Sequence, residues 1–312
     1  MRNGTEDRLM LLDSASMYFR AFYGVPDTMV APDGTPVNAV RGLLDYIARL
    51  VADRRPTQLV AAMDADWRPE WRVAAIPSYK AHRVADEAKN EEEVPDALSP
   101  QVPIIEQVLD ALGICRVGVP GYEADDVIGT LATSATCPVE IVTGDRDLFQ
   151  LVEDARDVTV LYIVKGVGNA ELIDEAEITR RYDIPGRSYA DFATMRGDPS
   201  DGLPGVPGVG EKTAAALLRE FGTLDGILAA AQISDAGFPR GSHAKIVAAG
   251  EYIGPARKVV AVAHDVPIGS LDPALPRKPR DPDALDTLAE RWALSSSVER
   301  VLEALGSYSR PV

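Results

Sequence analysis

The sequence predicts an α/β fold: a mostly parallel central sheet flanked by helices, followed by a helical C-terminal subdomain. Three observations lead there. An apolar run ending in an aspartate occurs at Arg8-Leu9-Met10-Leu11-Leu12-Asp13, again at Thr57-Gln58-Leu59-Val60-Ala61-Ala62-Met63-Asp64, and again at Val139-Glu140-Ile141-Val142-Thr143-Gly144-Asp145. Helical patterns separate these runs, and strands that alternate with helices build parallel sheets. From about residue 179 the strand pattern gives way to helices, with many glycines and prolines as far as Gly210. The expected division is an α/β core over 1–178 and a helical subdomain over 179–312.

The first run reads as a buried strand. A helix-rich stretch follows and breaks near Gly24-Val25-Pro26, and residues 38–53 carry helical periodicity, with Val40, Leu43, Leu44, Ile47 and Leu50 on one side. After the second run, residues 79–100 change character: highly charged, with Glu91-Glu92-Glu93 and few apolar anchors. This segment lies between two aspartate-ended strands and opens on a basic cluster, so it is expected to arch over the site rather than form a plain solvated loop. A helix over 103–112, a short strand over 113–117, the third run and a further strand over 158–164 complete the core. The tail holds the linker-like Pro276-Arg277-Lys278-Pro279-Arg280 and two last helices, around 283–292 and 297–305.

The chain has 312 residues, 46% of them hydrophobic, which is ample for a packed core. No stretch approaches the ~18 apolar residues of a membrane span, and the short run 9–12 is poorly flanked for a signal peptide. Cys115 and Cys137 lack metal-ligand spacing and read as reduced thiols of a cytoplasmic protein. The formal net charge of −16 argues against loose binding of nucleic acid over a broad basic surface. It leaves room for a local basic track and for an acidic pocket offset by bound cations.

The placement of the acidic residues is the most informative feature. In parallel α/β sheets, ligands bind beyond the carboxyl ends of the strands, and Asp13, Asp64 and Asp145 all fall at that edge. Glu123-Ala124-Asp125-Asp126 opens an apolar helix, where residues three apart share a face, so Glu123 and Asp126 can converge. Asp145 and Asp147 are two apart after a strand and can point to one side. Asp198 and Asp201 complete the set. Taken singly, Asp125 and Asp126 can favour a helix N-terminus, and Asp145 and Asp147 can be turn residues. Jointly those readings leave unexplained why the carboxylates gather on one sheet edge. Like charges at ~4 Å repel by several kcal/mol, which divalent cations relieve. All-oxygen ligands select Mg²⁺ or Mn²⁺ over Zn²⁺, and two such ions ~3.5–4 Å apart promote phosphodiester hydrolysis.

Beyond the second aspartate come Trp71-Arg72 and Ser78-Tyr79-Lys80-Ala81-His82-Arg83. Lys80 and Arg83 share a face on a helical turn and can hold a phosphate beside metals; as solvated charges they would do nothing. Phe19 and Tyr79 can stack on an unpaired base, or Phe19 can be core. Arg20 and Arg72 are further candidate DNA contacts. His82 has no histidine partner nearby and is not expected to be a ligand. The string 202–214 contains Gly205, Gly208 and Gly210 followed by Glu211, Lys212 and Thr213. Glycines let backbone approach a ligand closely, and amides at a helix start attract phosphate, so these residues are expected to touch DNA backbone without reading sequence. Glu211 ahead of Lys212 departs from a nucleotide-binding P-loop.

On these motifs the chain resembles the 5′-nuclease or flap endonuclease family, and is similar to the N-terminal 5′→3′ exonuclease domain of bacterial DNA polymerase I. The motifs are Leu12-Asp13, Met63-Asp64, Ser78 to Arg83, Glu123 to Asp126, Thr143 to Asp147, and Gly197 to Val206. The resemblance implies a PIN-like nuclease core with a helical arch and a helix-three-turn-helix element at about 189–221. It implies a first metal group of Asp13, Asp64, Glu123 and Asp125, and a second of Asp145, Asp147, Asp198 and Asp201, with Asp126 close by. It implies that Lys80 and Arg83 contact the scissile phosphate, that Phe19 stacks on a nucleobase, and that the hairpin grips duplex around a K⁺ ion.

The expected activity is metal-dependent 5′→3′ exonuclease and 5′-flap cleavage of DNA in replication and repair, on substrates with 5′ ends, flaps or gaps. The chain, ending at Val312, is expected to be a standalone, monomeric, nucleoid-associated nuclease that works with a DNA polymerase or ligase in trans, the alternative being a piece of a longer polymerase. An RNA-cutting nuclease with a related acidic core is the second reading, which the hairpin argues against. A non-catalytic branched-DNA-binding protein is the third, which the full acidic set argues against.

Overall fold

The computed structural model describes residues 7–86 and 91–306. Strand β1 (Leu9–Asp13), helix α1 (Ser14–Gly24), helix α2 (Asn38–Arg54) and strand β2 (Gln58–Ala62) open the chain. Helix α3 (Glu70–Ala75) precedes the short strands β3 (Val84–Asp86) and β4 (Glu91–Glu92). Next come α4 (Gln101–Leu112), β5 (Cys115–Val117), α5 (Ala124–Ser134), β6 (Val139–Thr143), β7 (Val158–Tyr162) and β8 (Glu171–Ile173). The helical part comprises α6 (Glu175–Tyr182), α7 (Tyr189–Arg196), α8 (Glu211–Phe221), α9 (Leu224–Ala231), α10 (Ser242–Ala248), α11 (Gly250–Val260), α12 (Pro282–Arg291) and α13 (Ser295–Gly306).

The main sheet has six strands in the order β5-β2-β1-β6-β7-β8. All neighbours pair in parallel except β7 and β8, which are antiparallel. Its central strand is buried along its whole length, as strands covered on both faces are. Successive side chains point to opposite faces, and β1 shows the consequence: Leu9 and Leu11 join one apolar core, Met10 and Leu12 the other. The three aspartate-ended runs are the three adjacent strands β2, β1 and β6, so their carboxyl ends meet.

Two expectations change. The described part of the segment 79–100 is a short 3-10 turn (Ala81–Arg83) followed by the antiparallel pair β3–β4, rather than a helical arch; residues 87–90 of the expected arch lie outside the described residues. Lys80 just before the turn takes a left-handed backbone (φ 47°), which stops helix from running through it. The last two helices pack away from the helical subdomain. The apolar positions Leu285, Leu294, Val298, Val301 and Leu305 join the core that holds α2 and α4. The segment just before the linker-like stretch supports this return: the Leu59 amide donates to the Pro273 carbonyl and the Leu275 amide to the Thr57 carbonyl. Among the described residues no helix is long and apolar enough to cross a membrane.

Candidate active site

A cavity of about 1150 Å³ opens at the carboxyl edge of the sheet, where β1, β2 and β6 end. Asp13, Asp64, Glu123, Asp125, Asp145 and Asp198 line it, with Phe19, Arg20, Lys80 and Arg83. Asp147 and Asp201 are off this lining and act on each other alongside Asp145 and Asp198.

Each carboxylate has a local reason for its position. Asp13 ends β1 and caps α1, accepting from the Ser16 amide at 3.1 Å and the Thr143 hydroxyl at 2.6 Å. The same Thr143 oxygen accepts from the Asp145 amide at 2.8 Å, which ties the first and third strand ends together. Asp64 accepts from the Ala124 amide at 2.8 Å, so the second strand end docks on the start of α5. Asp145 accepts from the Asp147 amide at 2.8 Å. Asp198 accepts from the Ser200 amide at 2.9 Å and from Arg146 Nη2 at 3.0 Å.

Burial, with crowding of like charges behind it, dominates the electrostatics. Burial, reinforced by Asp64 and Asp145 against the Thr143 and Ser16 hydrogen bonds, pushes the Asp13 carboxyl up to about 7. Burial raises Asp125 well above the ordinary carboxylate range, with Asp13, Asp145 and Glu123 adding to it. Asp147 rises well above that range too, through burial and then Asp145, Asp201 and Asp198. Burial also raises Asp201, against Lys80 and with Asp145. Asp64 and Asp145 open onto the cavity solvent; the upward push of burial on Asp64 is therefore softened by water, and Lys80 opposes it. Asp198 is the exception: burial works against it, but Ser200 and Arg146 hold it below its ordinary value.

These influences sort the carboxylates into two groups. Asp13, Asp64, Glu123 and Asp125 act on one another, as do Asp145, Asp147, Asp198 and Asp201, and Asp145 joins the two. Among the described residues, no three acidic side chains close around a single point as they stand, as expected of bare carboxylates that repel. The fit to a hard cation rests on two observations. The donors are all oxygens, and Asp147 Oδ1 is buried with no hydrogen-bond partner among the described residues, which leaves a desolvated carboxyl oxygen unsatisfied.

The structure withdraws three sequence assignments. Asp126 is not a metal ligand: both oxygens are occupied, by Arg72 at 2.7 Å on each side, by the Glu123 amide at 3.2 Å and by the Ala263 amide at 2.8 Å. Arg72 is not a DNA contact: it is 2% exposed, stacked on Trp71, and bonded to Asp126, Glu123 and the Val259 carbonyl. Tyr79 is not a base-stacking surface: it is buried in the core and its hydroxyl donates to Glu123 at 2.7 Å. In each case the spacing along the chain was right and the direction of burial was not visible in it.

Other candidates keep accessible positions. Phe19 is half-buried against Tyr18, with ring centroids 5.5 Å apart, and lines the cavity. Arg20 lines the cavity and donates to the Val164 carbonyl. Lys80 pairs with Glu123, and Arg83 with Asp201 at 3.0 Å. The glycine string forms the turn between α7 and α8, close to the expected 189–221. Gly205 and Gly208 have positive φ, 68° and 76°, while Gly210 caps α8 with open space beside it. Lys212 is exposed and Thr213 half-buried on the first turn of that helix. Sequence reasoning missed Arg146, which lines the cavity and steadies Asp198; it lies between Asp145 and Asp147, so the motif itself carried the signal.

Comparison with known proteins agrees with this geometry. Residues 8–183 match the family model for the 5′-3′ exonuclease N-terminal resolvase-like domain, and residues 184–283 that for the 5′-3′ exonuclease C-terminal SAM fold. A 5′-3′ exonuclease of Streptomyces coelicolor is 64% identical over 299 residues, covering 95% of this chain and 99% of that one. DNA polymerase I of Mycobacterium bovis is 38% identical over 98% of this chain but only 33% of its own. Among solved structures, T5 5′-exonuclease with bound divalent metal ions (zinc) aligns with a TM-score of 0.62 at 17% identity, covering 96% of this chain and 99% of that one. Human GEN1 in complex with Holliday junction DNA aligns with a TM-score of 0.65 at 17% identity, over 97% of this chain and 72% of that one.

Proposed function

We propose that this chain, which belongs to the 5′-3′ exonuclease family, is a divalent-metal nuclease that hydrolyses DNA phosphodiester bonds at 5′ ends and at 5′ flaps. The observation that carries the reading is the gathering of carboxylates from three strand ends and two turns around one cavity, with the desolvated Asp147 Oδ1 left without a partner. Asp13, Asp64, Glu123 and Asp125 would hold one cation, and Asp145, Asp147, Asp198 and Asp201 another. Mg²⁺ or Mn²⁺ suits such a donor set. Ions held there would ease the deprotonation of attacking water and the charging of the leaving oxygen.

The protein's own groups do the rest. Lys80 and Arg83 receive the scissile phosphate and offset its growing charge. Phe19 offers a ring face to the terminal base. The turn from Gly205 to Gly210 presents backbone amides to a duplex phosphate, around K⁺ as the family resemblance implies, and Lys212 adds unspecific charge. A polymerase or ligase supplied in trans would make and seal the ends this site trims.

The test is a labelled 5′-flap substrate incubated with Mn²⁺ and then with excess chelator. Cleavage that needs the metal and leaves a 5′-phosphate supports the reading; equal cleavage in both, or none from folded protein, removes it.

A further inference from the structure

We propose that Lys80 is the site's internal counter-ion: its ammonium holds Glu123 while the carboxylates are bare, and a divalent cation entering that group displaces it into the cavity, where it becomes free to grip phosphate. The inference rests on the metal-centre reading above and adds an order to it, metal before phosphate.

The two oxygens of Glu123 are used differently. Oε2 accepts from Arg72 at 2.5 Å and from the Tyr79 hydroxyl at 2.7 Å. Oε1 accepts from the Lys80 ammonium. Arg72 and Tyr79 are buried and fixed, so they hold the carboxylate in place whatever Lys80 does. Oε1 is thus the oxygen a metal ion can take, and Lys80 is the group in the way.

Lys80 is built to leave. Its backbone is pinned, because its amide donates to the Asp201 carbonyl at 2.9 Å while the neighbouring Ser78 hydroxyl donates to the Gly202 carbonyl at 2.9 Å. Only the side chain needs to move, and a lysine stem is long and rotatable. Its other acceptor, the Trp67 carbonyl at 3.3 Å, is neutral and long. The side chain lines the cavity but is only 14% exposed, so the ammonium is sheltered while paired. The carboxylates that act on it most strongly belong to the centre or its rim: Glu123, Asp201, Asp64 and, from β4, Glu92. Those anions favour whichever cation carries more charge, and a divalent ion carries twice that of lysine.

Arg83 differs in the respect that matters. Its guanidinium also donates to the Ser200 carbonyl at 2.6 Å and is 33% exposed, so it is already partly available to substrate. Lys80 is the residue whose availability depends on the metal.

The experiment reads the ammonium directly, on the full wild-type chain without DNA. A brief pulse of acetic anhydride with and without Mn²⁺, followed by peptide mass spectrometry, gives the acylation rate at Lys80. The expected result is a several-fold rise at Lys80 on adding Mn²⁺, with Lys212 on the exposed hairpin unchanged. Mn²⁺ binding seen by electron paramagnetic resonance with no change at Lys80 overturns the inference and leaves the metal centre standing. No Mn²⁺ binding at all removes the metal centre and the inference with it. As a second measurement, Lys80→Met should bind Mn²⁺ several-fold more tightly than the wild type; equal or weaker binding by folded variant overturns the displacement.

Discussion

Arg72 donates to Asp126 through both ends of its guanidinium, Nη1 to Oδ2 and Nη2 to Oδ1, each at 2.7 Å, in a pair shut away from solvent. The same Nη1 reaches Glu123, so this arginine sets the angle at which α5 offers Glu123 to the cavity. Breaking a buried pair by removing one partner leaves an uncompensated charge, at a cost of about 3–5 kcal/mol. Arg72→Ala should lose stability of that order in urea unfolding, and Arg72→Lys should recover only part of it, since an ammonium cannot span both oxygens. Asp126→Asn should lose stability yet keep Mn²⁺ affinity close to wild type. A folded Asp126→Asn that no longer binds Mn²⁺ would return this residue to the ligand set.

Asp145 faces the opposite situation. It adds repulsion to Asp13, Asp125, Asp147 and Asp201, and among the described residues it pairs with no cation in return. Asp145→Asn keeps an oxygen for the Asp147 amide and removes the charge. The expected outcome is a metal-free protein with a higher unfolding temperature than wild type and flap cleavage reduced by orders of magnitude, the trade between stability and activity usual for strained sites. Calorimetry and a cleavage assay on the same preparation check both halves. Near-normal turnover would strip Asp145 of its role.

The pH dependence follows from the burial and crowding of these carboxylates. Asp13 is raised from 3.8 to about 7 in the folded chain. A carboxyl raised on folding contributes stability that is full below its unfolded value and lost as pH rises through its folded value. Asp125 and Asp147 shift in the same direction, and Asp198 in the opposite one. The metal-free protein should therefore be less stable at about pH 8 than at about pH 5. Added Mn²⁺ should restore most at the higher pH, because binding releases those protons. Urea unfolding in chelator at the two values measures the first effect. A midpoint that climbs over this interval would mean that folding does not raise these carboxylates.

How far the site could be read beforehand depended on the kind of signal. Asp13, Asp64 and Asp145 were legible because each ends an apolar strand, and parallel strands bring such ends together. Asp198 and Asp201 were legible from a motif, since no periodicity links that turn to the sheet. Asp126, Arg72 and Tyr79 were misassigned for one shared reason: they are polar residues beside the site that face inward, held by partners that no local spacing reveals, such as the Val259 carbonyl 187 residues from Arg72 and the Ala263 amide 137 residues from Asp126. The segment 79–100 hid its β3–β4 pair because its charge run suppresses the alternation that marks strands. The return of α12 and α13 to the α2 face was equally invisible, because an apolar stripe shows that a helix packs and not against what.

The glycine turn separates a structural requirement from a functional one. Gly205 has φ 68°, and a Cβ there would lie 2.5 Å from the Arg196 carbonyl and 2.6 Å from the Gly197 amide nitrogen. Gly205→Ala should therefore distort the turn and cost on the order of 1–3 kcal/mol. Gly210 has φ −93° and nothing within 4 Å of a Cβ. Gly210→Ala should change stability by less than about 1 kcal/mol, a poorer helix cap set against a stiffer unfolded chain. If open space at Gly210 exists so that a duplex phosphate can approach the amides at the start of α8, this stable variant should bind nicked duplex several-fold more weakly. Its activity on a short single-stranded 5′ end, which does not use the turn, should be spared. Titration of a labelled duplex with both variants decides the matter. Unchanged duplex affinity in Gly210→Ala would mean that the space is incidental and that the helix start does not touch DNA.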